Sequence, residues 1–237
     1  FGSIASIEGC LTTILDAQKR HLKLPQDPAS YIPQRVQTCC SPASRLDDSL
    51  KRITGWNPMP GLAGGFYNNE DVPPEEQWIS LSDPQHLEDF ELHRPFEYYL
   101  NEEYDEKNNR VLRYSSELDF IIDEEKINQA RDTYYEDLTK ICDSDNWRRQ
   151  HGKRSISPER LLDLARGASQ SCSGLACWIK LILDIDRNIT IDTSEGNLDC
   201  SWRVSLNRLS ERPLNVVGNE SLSLTYKLAT AKGVGIA

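Results

Sequence analysis

Little in this chain points to chemistry. Four histidines and one methionine are spread over 237 residues. Only His86 and His93 fall close together, seven positions apart as if on one helix face, and two imidazoles alone do not make a metal site. No Cys-x2-Cys pair occurs, and Cys172-x4-Cys177 has no matching second half, which argues against zinc. The Gly-x-Ser-x-Gly elbow of serine hydrolases is missing. So are the Gly-x4-Gly-Lys-Ser/Thr phosphate loop and the Gly-x-Gly-x-x-Gly dinucleotide turn. Neither Cys177-Trp178 nor Ser171-Cys172-Ser173-Gly174 sits in a recognisable nucleophile motif. No catalytic residue, metal ligand or cofactor is assigned on these grounds, and the sequence leans away from an enzyme. Basic charge is also short, with 27 Lys and Arg against 37 Asp and Glu, net −10. That excludes general nucleic-acid binding, which rests on cations neutralising phosphates. No apolar run approaches the 18 residues of a membrane-crossing helix.

Seven cysteines are present, an odd number, which leaves one thiol free or bonded to another molecule. A chain of this length buries roughly 70% of its unfolded surface and needs no disulfide merely to fold. The cysteine density fits a secreted protein. Asn188-Ile189-Thr190 and Asn219-Glu220-Ser221 are glycosylation sequons at expected turns. Lys153-Arg154 lies in a polar stretch and suits a processing protease of the secretory pathway. The chain opens on Phe1, consistent with a processed or excised piece. Together these features place the protein outside the cell. The first disulfide expected joins Cys200 to Cys172 or Cys177, because these residues lie on or beside neighbouring strands. Of the adjacent Cys39 and Cys40, one is expected to hold Cys10 and the other Cys142. A bridge closing about 30 residues stabilises by roughly 3 kcal/mol in the chain-entropy account. The competing reading is seven small buried hydrophobes in a reduced protein.

The fold expected is α+β, with a helical N-terminal part and a C-terminal helix packed on a small antiparallel sheet. Ile4, Ile7, Leu11, Ile14, Leu15 and Leu22 recur at helical spacing over residues 4–24. Prolines at 25, 28 and 33 make a loop. Ser41-Pro42 reads as an N-cap and first-turn proline, followed by Ala43, Leu46, Leu50 and Ile53 on one helix face. From Phe66 to Glu125 there are 18 acidic and four basic residues, net −14. This stretch reads as an irregular acidic segment with aromatics, in which Asp83-Pro84 opens a short helix. Asp123 caps a helix to about Cys142, with Ile127, Ala130, Tyr134, Leu138 and Ile141 inward. Ser157-Pro158 opens another, with Leu161, Leu162, Ala165 and Ala168 inward. After Cys172 the period changes to two, predicting strands near 177–186, 198–206 and 222–228. The boundaries expected are residues 1–146, mainly helical with the acidic segment at about 66–125, and residues 155–237, an α+β unit of three or four antiparallel strands.

One short segment resembles a known family. Gly61-Leu62-Ala63-Gly64 followed by Pro73-Pro74-Glu75-Glu76-Gln77-Trp78 is similar to the stretch after the catalytic domain in heat-labile-enterotoxin A chains, which are ADP-ribosyltransferase toxins. The likeness covers under a tenth of the chain. The arginine, Ser-Thr-Ser and Glu-x-Glu set of the transferase site is missing, so the resemblance implies a non-catalytic toxin companion and assigns no family.

The leading expectation is a secreted, disulfide-containing protein that acts by binding, of the virulence-effector or toxin-accessory type. Its acidic, aromatic-rich stretch points to a protein partner of basic character. Two alternatives stand beside it. One is a secreted enzyme, a hydrolase or transferase companion, with an active site the sequence hides. The other is an intracellular protein-interaction module. The oligomeric state is not fixed by the sequence.

Overall fold

The computed structural model describes residues 16–46, 78–104, 108, 110–143, 156–194 and 204–227. Among them are eleven strands and two long helices. The fold is mostly β, built on a curled antiparallel sheet, and this overturns the expected helical N-terminal part. Residues 16–20 are helical and 21–24 are turn and bend, so the first expected helix ends early; its part over 4–15 lies outside the described residues.

The central element is β1 (Arg35–Arg45), where a loop and then a helix were expected. It pairs with β7 (Ser171–Asp184) along nearly its whole length. Its other edge is shared by β3 (Gln85–Glu91) and β2 (Trp78–Ser80). Pro42 was read as the first residue of a helix but sits within this strand, and the hydrogen-bond directions explain why it is tolerated. The carbonyl of Pro42 accepts from Leu81 N–H (2.8 Å), so its backbone polar groups point away from β7. It also falls where the neighbour changes from β3, ending at Cys40–Gln85, to β2, starting at Ala43–Ser80. The missing N–H therefore costs no ladder bond. The helical spacing of Ala43 and Leu46 was accidental over so short a run, and the remainder, 47–55, lies outside the described residues.

The described part of the acidic stretch is likewise largely sheet rather than irregular chain. It contains β2, β3, β4 (Asn101–Tyr104), β5 (Arg110–Arg113) and β6 (Ser115–Ile121). Asp83-Pro84 leads into β3, not a helix. His86 and His93 therefore share no helix face, since one lies on β3 and the other follows it.

Beyond β7, the edge of the sheet is formed by β8 (Ile189–Asp192), β9 (Ser205–Asn207) and β10 (Leu214–Asn215). β11 (Ser221–Lys227) was expected in one antiparallel sheet with the strands near 177–186 and 198–206. It pairs instead with β6 as a separate antiparallel ribbon, Leu222 opposite Phe120 and Leu224 opposite Leu118. This ribbon covers one face of the large sheet, where Cys40, Leu87, Leu118, Phe120, Leu175 and Cys177 share a core. Residues 171–178 are buried on both faces, so the expected alternation does not show there.

The two helices form where the capping signals place them. Asp123 Oδ1 accepts from Glu125 N–H (2.8 Å) at the start of α1 (Glu124–Asp143). Ser157 Oγ accepts from Arg160 N–H (3.3 Å) ahead of Pro158 in α2 (Pro158–Ser169). Tyr134, Leu138, Leu161, Leu164, Ala165 and Ala168 pack together between them. Leu162 was expected inward but is 38% exposed, because Leu164 completes the spacing with Leu161 and Ala168. Among the described residues no helix is long and apolar enough to cross a membrane.

One glycine is fixed by close approach. Gly174 lies on β7 beside β9, and a Cβ built on it would land on the backbone carbonyl of Asn207. Gly174→Ala is expected to push β9 off the sheet and cost about 1–3 kcal/mol, the range for overpacking a filled site. A lowered urea midpoint with faster proteolysis near residues 205–207 would bear this out; an unchanged midpoint would contradict it.

Candidate functional site

The described cysteines are free thiols in the sheet and helix core. Cys39, Cys40, Cys172 and Cys177 are buried and Cys142 is half-buried. Burial, with a smaller contribution from Asp192, pushes the Cys39 thiol up to about 11. Burial raises Cys40, Cys172 and Cys177 too, and the Asn207 amide, which donates to Cys177 Sγ (3.2 Å), offsets only part of it for Cys177. Because the thiolate is the reactive form, these are poor nucleophiles at neutral pH. Cys10 and Cys200 lie outside the described residues, as do Lys153-Arg154 and residues 61–77 of the toxin-like segment.

Consecutive carboxylates on β3 are used in opposite ways. Glu88 stands directly across from Thr38 and is 1% exposed. Thr38 Oγ1 donates to one of its oxygens (2.8 Å) and the Tyr226 hydroxyl to the other (2.9 Å). Glu88 thus ties the sheet to the β6–β11 ribbon. Asp89 points to the other face, where the Arg35 guanidinium grips it through two nitrogens and the Gln37 amide adds a third donor (3.1 Å). Asp89 in turn raises the Arg35 pKa, chiefly through the side-chain hydrogen bond. The sequence reading left both residues inside the irregular acidic segment. The signal that separates them is the period-two series Glu88, Phe90, Leu92, which shares a face with the core. Both carboxylates are engaged in holding strands together. Among the described residues, no three His, Cys, Asp or Glu side chains are placed to hold a metal ion.

The surface that stands out is the hairpin of β7 and β8. Ile189, Thr190, Ile191 and Asp192 are all exposed, and Ile185, Ile189 and Ile191 are each about half open, at 44%, 46% and 45%. Leu181 lies opposite Ile191 and belongs to the core with Val36, Phe90 and Tyr114. The apolar side of the sheet therefore continues past its cover and onto the hairpin. Gln34 secures the base: its side-chain oxygen accepts from Ile185 N–H (2.9 Å), and its own N–H donates to the Ile182 carbonyl (2.8 Å). Ile32, two residues away from Gln34, is 84% exposed. Asp184, Asp186 and Asp192 outnumber Lys180 and Arg187 by one here; Arg187 is paired with Asp184 (3.6 Å) and Lys180 stands opposite Asp192. Among the described residues no strand pairs with the outer edge of β8.

Both sequons lie on exposed turns in left-handed backbone, Asn188 (φ 53°) at the tip of this hairpin and Asn219 (φ 65°) before β11. Asparagine tolerates that conformation better than most residues. Sequence reasoning placed the β7 strand but missed the exposed hairpin. The available sign was the alternating Ile189-Thr190-Ile191-Asp192 directly after the polar turn Asp186-Arg187-Asn188.

No family model and no curated protein matches this chain, so the functional reading rests on its own residues.

Proposed function

We propose that this protein is secreted and acts by binding a protein partner, as an effector or toxin accessory does, rather than by turning over a substrate. The observation that carries the reading is β8, an edge strand whose four residues are all exposed and include two isoleucines. An open edge of this kind accepts a further strand through backbone hydrogen bonds. The half-open isoleucines offer apolar area that a contiguous partner would remove from water. Three aspartates around the hairpin favour a partner that is basic beside its apolar strand. The seven cysteines, the sequons and the dibasic site support the extracellular setting.

The test compares the wild-type chain with an Ile189→Asp/Ile191→Asp variant, which inserts charge where burial is needed. Labelled protein is titrated onto candidate target cells, and a photo-crosslinking residue at Thr190 is compared with one at the exposed Glu136 on α1. Apparent affinity is expected to fall about tenfold or more, from lost burial and the cost of desolvating carboxylates. Crosslinked adducts are expected at 190 and not at 136. Unchanged affinity in the variant would overturn the assignment to β8. A wild-type dimer that becomes a monomer on the same substitutions would assign the edge to a second copy instead.

A further inference from the structure

Two of the buried cysteines face each other across the central strand pair, and their place in the ladder can be worked out from the hydrogen bonds around them. Cys40 on β1 and Cys177 on β7 are direct cross-strand partners. The Pro42 carbonyl accepts from Leu81 N–H (2.8 Å) and Pro42 has no N–H to offer, so at this residue β1 turns its backbone polar groups away from β7. Alternation back along β1 turns those of 40, 38 and 36 to the same side, away from β7. The β7 side gives the same answer independently. Ile179 directs both its N–H and its C=O at Thr193 (3.0 Å each), on the edge away from β1. Two residues earlier, Cys177 faces outward in the same way, toward Ser205 on β9. Cys40 and Cys177 are therefore a non-hydrogen-bonded pair.

That position matters chemically. In non-hydrogen-bonded antiparallel pairs the Cα atoms stand about 4.5 Å apart and the side chains are at their closest. This falls within the Cα range of about 4.4–6.8 Å that a disulfide spans. Both side chains lie on the same face and share one core cluster with Leu87, Leu118, Phe120 and Leu175. The other described cysteines are placed differently. Cys39 faces Trp178 across the same strands, in a hydrogen-bonded pair on the opposite face, and Cys172 faces Ser44. We infer that Cys40 and Cys177, both free thiols in this structure, close under oxidising conditions into a cross-strand disulfide that staples β1 to β7. This pairing replaces the expected partners of Cys40, which were Cys10 or Cys142, and takes Cys177 from Cys200.

The bond forms by exchange with a small-molecule disulfide such as oxidised glutathione. One cysteine thiolate, having released its proton, attacks a glutathione sulfur; a mixed disulfide forms and one glutathione thiolate leaves. The second cysteine thiolate attacks the protein sulfur of that mixed disulfide, closing the staple and releasing the second glutathione. The two thiols lose two protons and two electrons, and one glutathione disulfide becomes two glutathione thiols. Because both residues are at most 2% exposed in the folded chain, this exchange belongs to folding, before the β6–β11 ribbon covers them. The inference rests on the extracellular reading only for the oxidant.

The test supplies that oxidant in vitro. The full chain is denatured, reduced and refolded in a glutathione redox buffer, alkylated, and digested with trypsin without reduction. The expected product is peptide 36–45 joined to peptide 167–180, two hydrogens lighter than the sum of the two, with fragment ions locating the bond on Cys40 and Cys177. A Cys39→Ala variant keeps the link, which resolves the adjacent pair. Alkylation of both Cys40 and Cys177, or a bond from either one to another cysteine, overturns the inference. A correct link in vitro, with both residues reduced in protein from its native source, upholds the pairing and overturns the extracellular reading instead.

Discussion

Tyr134→Ala is expected to lower the folding free energy by about 3–5 kcal/mol, the range for truncating a large buried aromatic. Tyr134 is 0% exposed and stands at the centre of α1, packed with Leu46, Leu138 and the inner face of α2. Its hydroxyl shares a hydrogen bond with Ser44 Oγ (2.8 Å), so one residue joins the helix pair to the end of β1. Alanine leaves a void between three elements, and neither strand nor helix ends freely enough to collapse into it. Tyr134→Phe separates the two contributions. It keeps the ring and removes the hydroxyl, for an expected loss of about 1 kcal/mol. Urea denaturation checks both, with midpoints falling and slopes unchanged. A phenylalanine variant as unstable as the alanine one would mean that the hydrogen bond, not the packing, holds the helices to the sheet. The prediction bears on function because β1 also pairs with β7, whose far end carries the exposed hairpin.

Tyr134 is also a measure of what the sequence allows to be read. It lay on the apolar stripe expected for α1, and that helix formed because an Asp123 cap, acidic residues in the first turn and a full stripe all agree. α2 was legible for the same reason, through Ser157 and Pro158. The strands of the N-terminal half were not. Pro42 beside Ser41 carries the local signature of a helix start, and only the change of neighbour from β3 to β2 makes the same residue suit a central strand. That neighbour is about 40 residues away in sequence and invisible to any local pattern. Glu88 failed for a related reason: a carboxylate reads as surface until Thr38 and Tyr226, brought from distant strands, supply its donors. β11 was correctly expected as a strand, yet its partner β6 lay inside the acidic stretch that was read as irregular. Local capping survives without tertiary information, whereas strand partnership does not. The candidate surface on β8 depends on partnership too, since exposure there follows from what β7 pairs with and where the core cover stops.

The reduced protein is expected to lose stability steeply between about pH 9 and pH 11, well before surface charge alone would unfold it. The sign follows from the thiols. A buried thiol is favoured in its neutral, protonated form, and burial pushes Cys39 from an ordinary value of 9.0 up to about 11. Below pH 9 both folded and unfolded chains hold the proton and the stabilisation is complete. Above it the unfolded chain releases the proton while the folded one retains it, so stability falls until the folded value is reached. For Cys39 alone this amounts to on the order of 2 kcal/mol across the window. Cys40, Cys172 and Cys177 are shifted the same way by the same cause and add to the slope. Tyr114, pushed up to about 12 by burial first and then by the charge of Glu88, extends the decline beyond pH 10. Urea midpoints at pH 8, 9 and 10, with a thiol reductant present, measure the effect. Cys39→Ala should flatten the fall between pH 9 and 10, which separates the thiol contribution from the loss of lysine charge. The oxidised protein should also show a shallower fall, because a Cys40–Cys177 disulfide removes two of the titrating groups. A midpoint constant to pH 10 in the reduced chain would mean that water reaches these sulfurs, and that the sheet between β1 and the ribbon is not the closed core on which both the staple and the exposed hairpin depend.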